Sequence, residues 1–197
     1  MENKFINIYE KNIWGKGSGA GSSFQYNKKY IQFLQEFFLK NKIQTVLDIG
    51  CGDWQFSQYI NFDNIKYRGI DIVPSVIDAN NKFMSENIDF VCGDISDYNQ
   101  LKPYTNVDLI LLKDVLQHWS NDQIDNFLSK ITKSNAKYML ITSAYKHFRN
   151  KNKNGTERSI DNKYSFAPLD LMNSKYSEYN FVKVLKYRYK EVILWRK

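Results

Sequence analysis

The chain reads as an α/β protein: an open, mostly parallel sheet whose strands alternate with helices. Three observations carry that reading. A β-branched apolar run, Thr45-Val46-Leu47-Asp48-Ile49, ends at a turn with glycine at alternate positions, Gly50-Cys51-Gly52. Three further apolar runs follow it, closing on Asp71, Asp94 and Asp114. Between and around the runs lie segments with apolar residues at helical spacing. A strand that delivers a bare glycine turn to a following element is the usual small-molecule cradle of such a sheet, because backbone without side chains lets a ligand approach closely.

The elements follow in order. Residues 14–23 hold Trp14-Gly15-Lys16-Gly17-Ser18-Gly19-Ala20-Gly21-Ser22-Ser23. This segment lacks the G-x-x-x-x-G-K-[ST] pattern of a phosphate-binding loop, and no strand precedes it. It is either a flexible linker or a lid that folds over the site, with Lys16 and backbone amides facing an anion. Ser22 or Ser23 is placed to cap a helix whose apolar positions are Phe24, Tyr30, Ile31, Leu34, Phe37 and Phe38. After the first strand, residues 53–61 are expected to be helical. A second strand covers 67–72, and Pro74 suits the first turn of a helix carrying Val76, Ile77 and Phe83. A third strand covers 90–95 and a fourth 107–114. Ile124, Phe127, Leu128 and Ile131 make a helical stripe within 121–133, and 136–142 is a fifth strand. Residues 149–163 are polar and read as a loop. The tail alternates over 181–187 and again over 191–195.

At 197 residues the chain fits one domain with a sizeable core. Hydrophobic residues at 43% and charged ones at 25% describe an ordinary folded chain. No run of roughly 18 apolar residues suggests a membrane span, and the first residues, Met1-Glu2-Asn3-Lys4-Phe5, lack a signal pattern, so a cytoplasmic protein is expected. The net charge of +7 is spread along the chain and gives mild support for an anionic substrate.

The G-x-G-x-x-G fingerprint of dinucleotide folds would need glycine at position 55, which is Gln55, and this argues against NAD or FAD. Thr45-Val46-Leu47-Asp48-Ile49-Gly50-Cys51-Gly52-Asp53-Trp54 resembles instead motif I of the class I S-adenosylmethionine-dependent methyltransferases, and the resemblance runs from about residue 40 onward. It implies that family's Rossmann-like sheet, with an antiparallel pair at the C-terminus and helices on both faces. It also implies a single domain, 1–197, in which 1–23 is a candidate lid. S-adenosylmethionine is the implied cofactor and S-adenosylhomocysteine the product.

The same resemblance distributes roles along the strand ends. Asp48, Gly50 and Gly52 belong to the motif I cradle. Asp71 takes the ribose hydroxyls, with Ile72 beside it; Asp94 takes the adenine amino group and Ile95 packs on the ring. Asp53 is a partner for the cofactor's ammonium or, alternatively, an exposed helix cap. Trp54 stands where the family has a small residue and is expected to narrow the pocket around the cofactor's amino-acid end. Lys113 is counted with the cofactor-binding residues; it occupies the place where catechol-type enzymes carry a magnesium ligand, so no metal is expected. Cys51 and Cys92 form no metal-binding or disulfide pattern and read as reduced thiols near the cofactor.

Methyl transfer is an in-line displacement, for which alignment supplies much of the rate. A base is needed only when the nucleophile carries a proton. Were a helix to begin near residue 114, Asp114 and His118 would share a face, and the carboxylate could orient the imidazole as a general base. The alternative is a helix cap and a surface histidine. Tyr145, Arg149 and Arg158 follow the fifth strand and are candidate substrate contacts together with Lys16, Arg suiting phosphate or carboxylate recognition; a solvated basic loop is the competing reading.

Lys113-Asp114-Val115-Leu116 lacks the Asn/Asp-Pro-Pro-Tyr type motif of amino-group methyltransferases, and neither cysteine sits where cytosine C5 enzymes place theirs. The Trp14 loop, motif I and Lys113-Asp114-Val115-Leu116-Gln117-His118-Trp119 resemble a group of small bacterial methyltransferases, some associated with capsule and other surface glycans. That resemblance implies O-methylation of a small anionic or polyhydroxylated acceptor. An RNA methyltransferase is the alternative enzyme, and a non-catalytic S-adenosylmethionine-binding partner protein is the second alternative. Oligomeric state is not legible.

Overall fold

The computed structural model describes residues 2–94, 96–144 and 169–197. Helix α1 (Glu2–Glu10) and helix α2 (Phe24–Asn41) precede strand β1 (Thr45–Ile49). Strand β2 (Lys66–Asp71), helix α3 (Pro74–Asn80), strand β3 (Ile88–Cys92) and helix α4 (Tyr98–Leu101) follow. Strand β4 (Leu109–Lys113), helix α5 (Asn121–Ile131), strand β5 (Tyr138–Ala144), strand β6 (Val182–Tyr187) and strand β7 (Lys190–Arg196) complete the order.

The strands form one sheet in the order β3-β2-β1-β4-β5-β7-β6. Strands β1 to β5 pair in parallel, while β7 runs antiparallel between β5 and β6. This is the class I methyltransferase arrangement. Side-chain alternation builds a core on each face. Leu47 and Ile49, Ile110 and Leu112, Met139 and Ile141, and Ile193 and Trp195 pack on the face covered by α5. Val46, Leu109, Leu111, Leu140, Val192 and Leu194 pack on the opposite face, against α2. The first helical stripe thus buries Tyr30, Ile31, Leu34, Phe37 and Phe38, and the second Ile124, Phe127, Leu128 and Ile131.

Parallel pairing brings the C-terminal ends of β1, β2, β4 and β5 to one edge of the sheet. Because β7 is antiparallel, its first residue, Lys190, joins that edge opposite Ala144 at the end of β5.

Several local expectations are corrected. Residues 53–61 make only a short 3₁₀ turn, Ser57–Tyr59, because Trp54 holds a positive φ of 57° that interrupts a right-handed helix. No α-helix starts at 114: Asp114 itself has φ 61°, a 3₁₀ turn covers Leu116–His118, and α5 begins after Ser120, whose side chain closes a capping box with Gln123. The third strand ends at Cys92, so Asp94 lies beyond it. Ser23 does occupy the N-cap of α2, but its side chain makes no capping bond; the amide of buried Asn27 donates to the carbonyls of Gly21 (2.9 Å) and Ser23 (2.8 Å) instead. Helix α1 had no clear signal in the sequence. The loop expected at 149–163 lies outside the described residues.

Candidate active site

A cavity of about 290 Å³ opens at the C-terminal edge of the sheet. Its floor is the glycine turn after β1. Gly50, Gly52 and Trp54 all take positive φ, so the chain zigzags through three left-handed residues. Trp54 tolerates this because its ring is anchored: the indole N–H donates to the Tyr67 hydroxyl at 2.9 Å, and Phe62, Phe83 and Phe90 surround it. The side chain expected to narrow the cofactor pocket is therefore part of the aromatic core and only 4% exposed. The Tyr67 hydroxyl donates in turn to Asp48 Oδ2 at 2.7 Å. Burial pushes the Asp48 carboxyl up to about 6, although the Tyr67 hydrogen bond and Lys113 favour its charged form.

Asp71 lines the cavity from the end of β2. Its Oδ2 accepts the Gly52 amide at 3.0 Å and its Oδ1 the Val73 amide at 3.1 Å. Burial raises this carboxyl, and the backbone donors oppose the rise. Each oxygen retains a further lone pair toward a ligand. Ile72 lines the cavity beside it. Asp94 is not among the lining residues; its side chain accepts the Ser96 amide and hydroxyl at 2.9 and 2.7 Å. Ile95, Tyr145, Arg149 and Arg158 lie outside the described residues.

The glycine- and serine-rich segment folds over the glycine turn. Ser18 N donates to Asp53 Oδ2 at 3.0 Å, Asp53 N donates to Ser18 Oγ at 3.1 Å, and that hydroxyl also bonds Tyr9 of α1 at 2.6 Å. Asp53 Oδ2 further accepts Gln55 Nε2, while its Oδ1 is buried without a hydrogen-bond partner among the described residues. Asp53 does not cap a helix. Lys16 contributes its carbonyl, to Gln55; its side chain is exposed and outside the cavity lining. Trp14 stacks on His118 with ring centroids 5.3 Å apart, and Phe5 meets the imidazole edge-on at 5.6 Å.

The other wall is ionic. Asp114 Oδ2 accepts both Lys113 Nζ, at 2.6 Å, and Lys190 Nζ. Both ammoniums also reach the carbonyl of Gly21, each at 3.3 Å. Burial alone would push the Asp114 carboxyl up, but the two lysines outweigh it and hold it well below the usual carboxylate range. Burial pulls Lys113 down to about 8, against the attraction of Asp114 and with the repulsion of Lys190. The expected carboxylate–imidazole pairing of Asp114 with His118 thus gives way to a lysine–carboxylate–lysine cluster. Lys190 was missed in the sequence, since nothing local distinguishes it from other lysines of a basic tail; its place comes from antiparallel pairing.

Comparison with known proteins agrees with this geometry. Residues 46–138 match the family model described as a methyltransferase domain. No curated protein matches the chain in sequence. Among solved structures, magnesium protoporphyrin IX methyltransferase from Synechocystis PCC 6803, solved with bound S-adenosylhomocysteine, is 12% identical, with all of both chains covered and a TM-score of 0.67. The PH0226 protein from Pyrococcus horikoshii OT3 is 15% identical over 89% of this chain and 94% of its own, with a TM-score of 0.64. The methyltransferase domain of a bacterial Hen1, CtHen1, is 13% identical over 87% of this chain and all of its own, with a TM-score of 0.63. At these identities the likeness is one of fold. The domain match takes in the glycine turn and the strands that follow it, and the fold is that of the class I methyltransferases.

Proposed function

We propose that the protein transfers a methyl group from S-adenosylmethionine to an oxygen of a small acceptor, anionic or polyhydroxylated, of the kind found in surface-glycan precursors or their phosphate-type modifications. The observation that carries this reading is that one cavity holds both halves of such a site. The Gly50–Gly52 turn, Asp53 and Asp71 lie on one side, and His118, Lys113, Asp114 and Lys190 on the other. The residues fit the cofactor. The buried, unpartnered Asp53 Oδ1 suits an ammonium, an unpartnered acceptor there being costly otherwise. Asp71 offers lone pairs to ribose hydroxyls at the cavity wall.

When bound, the cofactor supplies a methyl group activated by its sulfonium. The protein holds, aligns and excludes water. Trp14 and Ser18 fold a strap over the cavity, and His118 stacks on Trp14 at the cavity lining. Asp114, held as an anion by two lysines, is a poor general base, which leaves His118 as the candidate to take a hydroxyl proton. With the strap closed over it, the cavity favours a small acceptor over an RNA strand.

A methyl-transfer screen with labelled S-adenosylmethionine tests this. Incorporation is expected into phosphorylated small molecules or nucleotide sugars. Incorporation into RNA alone would overturn the substrate class. Cofactor binding without transfer to any acceptor would favour the non-catalytic partner protein.

A further inference from the structure

Two lysines and one carboxylate meet at the cavity wall, and all three are largely buried: Lys113 is 9% exposed and Lys190 4%. Buried ionic groups are normally matched in charge, because an unmatched charge loses its hydration without compensation. Here the two ammoniums share one hydrogen-bonded carboxylate, and the Asp48 carboxyl, which also attracts Lys113, is pushed toward its neutral form by burial. The Gly21 carbonyl, which also accepts the Asn27 side-chain amide, takes one further donor from each ammonium and is neutral. Each ammonium has three donors, of which Asp114 and Gly21 take two. Since both lysines bond the same oxygen of Asp114 and both line the cavity, their ammoniums are held close together at its wall.

Backbone geometry points the same way. Asp114 adopts φ 61°, an uncommon conformation for a residue with a side chain. Strain of this kind persists where the surroundings enforce it, and it clusters at ligand sites. The glycine turn and Asp71 end β1 and β2, while Lys113 ends β4 and Lys190 begins β7, beyond β5.

We propose that Lys113 and Lys190 form a subsite for an oxyanion carried by the methyl acceptor. The proposal rests on the methyltransferase reading above and narrows it to acceptors bearing a phosphate-type or carboxylate group. Two ammoniums act as point charges that an oxyanion can bridge. The depressed Lys113 accords with this, since an anion arriving beside it would restore its charge.

The test is calorimetry on the full chain saturated with S-adenosylhomocysteine, titrated with sulfate and, separately, with acetate. Wild type is expected to bind at least one of these anions in the millimolar range. Lys190→Met is expected to weaken that binding by about tenfold or more, with Lys190→Arg restoring it to within about threefold of wild type, as loss and return of a charge-assisted bond require. Affinity for S-adenosylhomocysteine should change by less than about threefold in both variants. Lys113→Met serves as the second variant should Lys190→Met fail to fold. Preference for sulfate over acetate assigns a phosphate-type group, and the reverse a carboxylate. Absence of anion binding by the wild-type complex up to about 50 mM, or equal binding by the Met variants, overturns the proposal. A tenfold loss of S-adenosylhomocysteine affinity in the variants, with anion binding intact, would assign the lysines to the cofactor's own carboxylate and also overturn it. Failure of the wild-type protein to bind S-adenosylhomocysteine would instead overturn the methyltransferase reading.

Discussion

Ser18 and Asp53 are joined by a reciprocal pair of hydrogen bonds across 35 positions of sequence, amide to carboxylate at 3.0 Å and amide to hydroxyl at 3.1 Å. The pair ties the N-terminal strap to the turn that follows β1. Two glycines make the approach feasible. A Cβ on Gly17 would lie 1.8 Å from Asp53 Oδ2, and one on Gly52 would lie 2.6 Å from Ser18 Oγ.

Gly17→Ala is therefore expected to unseat the strap. The added methyl meets a carboxylate, and φ at this position is +56°, which alanine adopts at a cost. Hydrogen exchange at amides 14–23 should quicken markedly relative to wild type while β1 and β4 exchange as before. Unchanged protection of the strap in this variant would show that the contact does not hold it.

In wild type the same amides should exchange more slowly once S-adenosylmethionine or S-adenosylhomocysteine is added, as expected of a lid. Equal exchange in the free and bound protein would make residues 14–23 a fixed connection.

Asp71→Ala removes an acceptor at the cavity wall and also frees the Gly52 and Val73 amides. Cofactor affinity measured by calorimetry should fall by about 1–3 kcal/mol. An unchanged dissociation constant would remove Asp71 from the cofactor site.

Asp48 makes stability pH-dependent in an unusual sense for an acid. It titrates near 3.8 when unfolded and at about 6 when folded, because burial disfavours its charge. Between those values the folded protein holds the extra proton. The stabilisation from this group is complete below pH 3.8 and lost as pH rises through about 6, a loss of order 3 kcal/mol. Asp48→Asn, which keeps an acceptor for the Tyr67 hydroxyl, should abolish this contribution to the slope and be about 1–3 kcal/mol more stable at pH 7. Urea unfolding of both proteins between pH 4 and 7 measures it; parallel curves would contradict the buried-acid account.

His118→Asn should lower turnover on a hydroxyl acceptor by about 10²–10⁴ with cofactor affinity nearly unchanged. On an acceptor whose nucleophile is already an anionic oxygen, the same variant should stay within about tenfold of wild type, because alignment and not proton removal sets the rate. Steady-state kinetics on the two acceptor types distinguishes these cases, and full activity on both would remove His118 from the chemistry.

What the sequence by itself determined is whatever depends on near neighbours. The apolar run into Gly50-Cys51-Gly52, the acid at the end of β2, and the stripes of α2 and α5 are patterns within a few residues, and each emerged close to its expected place. Motif order then implied the sheet. Tertiary structure decided what depends on distant partners. Trp54 belongs to the aromatic core because Tyr67, Phe83 and Phe90 converge on it from β2, β3 and the turn between them. Asp114 is a bound anion instead of an imidazole's partner because the antiparallel β7 delivers Lys190, 76 positions away, to its carboxylate. The 14–23 segment is a strap because Asp53 and Tyr9 receive Ser18. Hydrogen bonds and ion pairs act over a few ångströms in space and leave no periodic trace along the chain, so only folding reveals which polar groups they join.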